Sequence, residues 1–231
     1  MNRTIRNFRC TNMVLFTCTI VCLICYDIFG GLWLKGFTSF WFVALGMSNL
    51  LFARRCGFAD MGILRCILAG LIFGMLADIF LGIAFVLGVV AFALGHGCYL
   101  IAFFKVDGPC RRDLFFILPA AVLSSLLCFC TPFIRVEDPV MRNFLAAYCM
   151  ILGAMLGKAV SNYLKEKSKF RLLLLLGALL FWFSDLILGI DMFGRSSRLT
   201  WVLCSYNYWP AQAITAHSLY YLVLEKIYPN R

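Results

Sequence analysis

Eight apolar runs follow one another along this chain of 231 residues, near positions 13–34, 37–53, 61–82, 84–104, 114–134, 141–164, 170–190 and 199–224. Each is about the length, roughly 17–25 residues, that a helix needs to cross the hydrocarbon core of a bilayer. Backbone polar groups find no water there, so a helix, which satisfies them within one segment, is the natural spanning element. The runs predict an all-α, polytopic membrane protein with about eight transmembrane helices in a single transmembrane domain, residues 1–231. Composition agrees: 63% of residues are apolar, 14% are charged and the mean hydropathy is +0.90. A soluble domain carries about 25% charged residues and has no interior large enough for this much apolar surface. The same figures exclude a disordered chain and a disulfide-stapled secreted module.

The net charge of +10 does not signal nucleic acid. Basic residues punctuate the apolar runs and form no stripe of the kind that tracks a phosphate backbone. Most of the 12 cysteines lie inside the runs, where a thiol acts as a small hydrophobe. Cys22 and Cys25 have redox spacing but no His and no loop beside them. Lys and Arg fall unevenly between connections. The termini and the second, fourth and sixth connections hold fifteen of the 21, the odd connections five, and Lys158 lies within a span. The positive-inside rule therefore places both termini in the cytoplasm. The first run follows Arg3, Arg6 and Arg9 but precedes no small-x-small cleavage site, so it is expected to be a retained span rather than a signal peptide.

An internal repeat supplies the next constraint. Residues 70–83 and 177–190 both fit Gly-x7-[Ala/Ser]-Asp-[Ile/Leu]-x-Leu-Gly-Ile, with Asp78 and Asp185 in register. They lie four spans apart, so the copies run in the same direction. That is the signature of a parallel 4+4 duplication about an axis along the membrane normal, which would bring the two carboxylates to equivalent depths.

An ionisable side chain inside a span costs roughly 2.5–3.5 kcal/mol on insertion scales and calls for a purpose and a polar surrounding. Asp78 and Asp185 are the leading candidates. Gly70, Gly74, Asp78 and Gly82 form a stripe of small residues around the acid, suited to close helix packing or to a ligand. His96 and Tyr99, three residues apart, share a face of span four. The expected turn near residue 84 puts His96 at a different depth from Asp78, in a supporting place. In span six, Lys158 and Asn162 are one turn apart, where the cation would pair with an Asp or hold a phosphate. In span eight, Tyr208 and Gln212 point inward together. His217 reads as structural.

Taken in order, Ala77 to Gly82, Phe92 to Tyr99 with its His-x-x-Tyr, Gly177 to Asp185 and Tyr208-Trp209-Pro210-Ala211-Gln212 resemble the YhhN family over nearly the whole chain. The resemblance implies a lysoplasmalogenase-like enzyme, an ether hydrolase that cleaves the vinyl-ether bond of a lysoplasmalogen to a fatty aldehyde and a glycerophospho head group. It implies that Asp78 and Asp185 are the catalytic pair and that Lys35, in Lys35-Gly36-Phe37-Thr38, matches a family Lys-Pro-x-Thr segment whose Pro this chain lacks. Two carboxylates close together in low dielectric separate into an acid and a base. That chemistry calls for no metal or other cofactor, and the sequence offers no cage for a metal. The expected partners are a lysophospholipid substrate and the bilayer, and the expected compartment is the endoplasmic reticulum membrane. On the residues alone, a proton-coupled transporter using the same two Asp side chains is the competing reading, and a lipid-binding scaffold a third.

Overall fold

A computed structural model describes residues 3–130 and 133–227, and these form eight helices: α1 Arg3–Phe29, α2 Leu32–Arg55, α3 Gly62–Leu81, α4 Phe85–Val106, α5 Arg111–Cys130, α6 Pro139–Lys165, α7 Lys169–Phe193 and α8 Arg198–Ile227. Each coincides with one of the apolar runs. The largest shift is at the first boundary. The chain turns at Gly30 and Gly31, whose φ values of 66° and 94° are open to glycine at no steric cost, and not at Lys35-Gly36. Lys35 consequently lies in the first turn of α2.

Local signals set the other ends. Asp138 caps α6, accepting from the Val140 and Met141 amides, with Pro139 in the first turn. Ser168 caps α7 by accepting from the Arg171 amide. Among the described residues, six helices (α1, α2, α3, α4, α6 and α7) are long and apolar enough to cross a membrane. The expected eight is thus supported for six. α5 opens on Arg111, Arg112 and Asp113 and contains Pro119, while α8 is diluted by Asn207, Gln212 and His217.

Packing has a repeating logic. α3 lies along α4 as α7 lies along α8, α1 pairs with α2 as α5 pairs with α6, and α2 touches α8 as α6 touches α4. Small residues set the closest approaches. A Cβ on Gly157 would stand 2.4 Å from the Phe116 carbonyl oxygen, and one on Gly74 would stand 2.3 Å from the Gln212 amide nitrogen. The core is the interior of this bundle, with Phe42, Leu45, Leu64, Leu71, Met155 and Phe181 almost wholly buried. Many large apolar side chains point outward, including Trp33, Phe115, Leu118 and Leu199, as a chain surrounded by lipid requires.

Candidate active site

Asp78 lies in the last turn of α3 and is 2% exposed. Three donors from two other helices converge on it. Ser39 of α2 donates to Oδ2 at 2.5 Å, Tyr208 of α8 donates to the same oxygen at 2.9 Å, and the Lys35 ammonium stands 3.8 Å from Oδ1. Each hydroxyl is itself oriented from behind. Trp209 Nε1 donates to Ser39 at 3.0 Å. The Gln212 amide donates to the Tyr208 oxygen at 3.2 Å while its carbonyl accepts from Tyr99 at 2.6 Å. Tyr208 and Ser39 each hold one proton to donate, and for each the Asp78 carboxylate is a nearer acceptor than the backbone carbonyl, Gly74 or Lys35, that also faces the hydroxyl at 3.2 Å. Tyr99 and Gln212 act on Asp78 through this chain and do not reach it.

Asp185, two turns from the end of α7, has a side chain 4% exposed and a different set of partners. Tyr148 of α6 donates to its Oδ2, and His96 Nε2 of α4 lies 3.2 Å from the same oxygen and 3.1 Å from the Tyr148 hydroxyl. The imidazole is enclosed by Phe92, Phe181 and Tyr99. Its buried Nδ1 has no hydrogen-bond partner among the described residues. His96 therefore serves Asp185 and leaves Asp78 to others, as its depth along α4 foretells.

Both carboxylates line one cavity of about 350 Å³, together with Lys35, Ser184, Asp191, Cys204, Tyr208 and Trp209. It reaches the ends of helices that meet at the α1–α2, α3–α4 and α7–α8 connections, since Gly31, Leu32, Gly82 and Trp201 also line it. Asp185 additionally borders a narrower cavity of about 70 Å³, walled by apolar side chains of α4, α5, α6 and α7. The chamber thus offers the two buried carboxylates, a third and more exposed one in Asp191, the Lys35 cation and a set of fixed hydroxyls beside an apolar slot. Among the described residues, no group of three or more His, Cys, Asp or Glu side chains is placed to hold a metal.

Of the residues singled out from sequence, Asp78, Asp185, Lys35, His96, Tyr99, Tyr208 and Gln212 form this one constellation. Lys158 and Asn162 do not belong to it. Lys158 is fully buried near the other end of α6 and pairs with Asp113 at 2.8 Å, and Asn162 donates to the Phe103 carbonyl at 2.8 Å. Ser161 donates to the same Asp113 carboxylate, and the Asn162 carbonyl accepts from Arg171, which pairs with Asp107. Of the two readings of Lys158, the ion pair with an Asp is the one realised. Ser39 and Tyr148 are not among the sequence candidates, and Trp209 stands there only within the motif at residues 208–212. Their hydroxyl and indole groups are unremarkable in an apolar run, and only their position on Asp78 or Asp185 singles them out.

The YhhN family model matches residues 40–219, which hold both carboxylates and all of these partners except Lys35 and Ser39. No curated protein and no solved structure matches the chain.

Proposed function

This chain belongs to the YhhN family, and from that premise we propose that it is a lysoplasmalogenase-like hydrolase, cleaving the vinyl-ether bond of a lysoplasmalogen to a fatty aldehyde and a glycerophospho head group. The observation that carries the reading is the unequal donor sets on two carboxylates sharing one cavity. Asp78 faces an ammonium and two hydroxyl donors, a surrounding complementary to an anion. Asp185 faces a phenol and an imidazole in place of an ammonium, and in this reading it is the acid that gives its proton to substrate.

The reaction follows from that division. The Asp185 carboxylic acid protonates the β-carbon of the vinyl ether, and the π electrons form the new C–H bond. The α-carbon becomes an oxocarbenium ion, stabilised by the Asp78 carboxylate across the chamber. Water adds to that carbon and gives its proton to Asp78. The hemiacetal then collapses. Its hydroxyl proton passes to the chamber carboxylates, the C–O bond to glycerol breaks, and the glycerol oxygen takes up a proton, so aldehyde and alcohol leave neutral. Lys35, 18% exposed at the chamber's wall, is placed to meet the substrate phosphate as well as Asp78.

The same reading takes all eight helices as spans, with both termini cytoplasmic and the chamber toward the opposite face, in an endoplasmic reticulum membrane. The matching contacts of α2 with α8 and α6 with α4 support a 4+4 duplication. A proton-coupled carrier would also place acids at midmembrane, but the fixed, mutually exclusive donor chains behind each Asp favour a reaction site.

Turnover in D2O tests the chemistry. Trapped at once by reduction, the product is expected to carry one deuterium at the carbon next to the former carbonyl, the mark of carbon protonation. An unlabelled product, or no aldehyde from folded protein, would overturn the reading.

A further inference from the structure

The two cavities meet at one carboxylate. Asp185, Phe92, Leu188 and Met192 line both, yet their characters differ. The larger carries Lys35, Asp78, Asp191 and Ser205. The smaller is bordered by Val89 of α4, Leu145 and Leu152 of α6, and Trp182 and Leu186 of α7. Its polar groups besides Asp185 are already paired. The Trp182 indole donates to Ser124 at 2.7 Å, which ties α7 to α5 across the cleft, and Tyr148 donates to Asp185. An occupant of the cleft therefore meets hydrocarbon walls with nothing left to hydrogen-bond except the carboxylate at its mouth.

We propose that the apolar cleft between α4, α5, α6 and α7 is the subsite for the single hydrocarbon chain of the substrate, with the charged head group in the chamber and the reacting bond at Asp185. The inference rests on the hydrolase reading and adds to it the direction in which the substrate lies. Three observations fix the occupant. The cleft is small, about 70 Å³ against about 350 Å³ for the chamber, which leaves room for the first methylenes of a chain and none for a head group. It adjoins the polar chamber at Phe92, Asp185, Leu188 and Met192, which line both, so a ligand laid across these residues is polar at one end and apolar at the other. Asp185 stands where the two environments change, and in a vinyl-ether lysolipid the double bond is the first of the chain, next to the oxygen that joins it to the polar half. Such a lipid, laid across the junction, brings its β-carbon to Asp185 and leaves its ether oxygen and glycerophosphate on the side of Asp78 and Lys35.

The test uses the full-length protein in phosphatidylcholine nanodiscs. The probe is a saturated 1-O-alkyl glycerophosphocholine bearing a diazirine at the far end of its chain, which has no vinyl bond to hydrolyse. Labelled peptides are expected to map to the cleft faces of α4, α6 and α7, and excess unmodified lysolipid to suppress them. Labelling concentrated on α1, α2 or α8, or spread without competition over all lipid-facing helices, would overturn the proposal. In parallel, Val89→Phe and Leu145→Phe narrow the cleft without touching the chamber. Excluding about two methylenes at ~0.8 kcal/mol each is expected to lower kcat/KM for long-chain lysoplasmalogens about tenfold while an eight-carbon chain keeps its rate. An equal fall for every chain length in folded variants would count against the subsite. Competed labelling in the cleft without aldehyde release from the parent would leave the subsite standing and sink the hydrolase reading. Aldehyde release with labelling elsewhere would do the reverse.

Discussion

In the proposed reaction the Tyr148 hydroxyl stabilises the Asp185 carboxylate left behind as its proton departs. Tyr148→Phe keeps the ring that borders the cleft and removes the hydroxyl that donates to the carboxylate. Hydrogen bonds to charged groups contribute about 1.5–3 kcal/mol, so kcat is expected to fall roughly 10–100-fold with KM little changed. Steady-state kinetics in mixed micelles measure this, and an unchanged kcat would remove Tyr148 from the machinery. The two Asp residues themselves were legible in the sequence because a charge in an apolar run is costly and asks for a reason. The hydroxyls of Ser39 and Tyr148 were not, because a Ser or Tyr there costs little and its spacing does not say which neighbouring helix it meets. Lys158 shows the converse. Its charge drew attention, but the carboxylate that answers it, Asp113, begins a different helix and sits outside the span used to read the motif.

At the scale of the element, close approach of backbones does the positioning. α6 lies against α5 at Gly157, whose would-be Cβ meets the rigid Phe116 carbonyl at 2.4 Å and the Ile117 Cα at 2.6 Å. Gly97 of α4 has nothing within 4 Å of its would-be Cβ. Gly157→Ala is expected to destabilise the protein by about 1–3 kcal/mol through overpacking. Gly97→Ala is expected to be neutral or to stabilise by up to about 1 kcal/mol, since Ala favours helix over Gly. Thermal unfolding in detergent compares them, and equal effects would contradict the packing account. The boundaries illustrate the same limit on reading a sequence. Capped ends such as Asp138-Pro139 were recognisable, whereas the α1–α2 turn fell at Gly30-Gly31 inside an apolar run, where hydropathy gives no break. Moving that turn puts Lys35 within reach of Asp78.

At the scale of the whole molecule, the two carboxylates have matching surroundings. Asp78 on α3 is served from α2 and α8, and Asp185 on α7 from α6 and α4, the same relation carried by four helices. The register that superposes the two Asp residues also carries Lys35 onto Arg142. Asymmetry lies in the details, a Ser, a Tyr and a cation on one Asp and a Tyr and a His on the other, and the proposed division of chemical roles rests on it. The proposed orientation rests on the fifteen-to-five split of basic residues between alternate connections. An epitope inserted between Asp191 and Arg198 is expected to be shielded from a cytoplasmic probe in selectively permeabilised cells, and one at either terminus exposed. A cytoplasmic signal from the internal tag would invert the topology and put the chamber on the other face.

The most direct measurement is aldehyde release from a lysoplasmenyl-ethanolamine by the purified protein, alongside Asp78→Asn and Asp185→Asn. Acid–base groups of this kind contribute about 10²–10⁴-fold, and each variant is expected to lose at least the lower figure while keeping its thermal unfolding profile. A folded parent that releases no aldehyde, or an Asn variant of either residue that retains its rate, would contradict the two-carboxylate hydrolase.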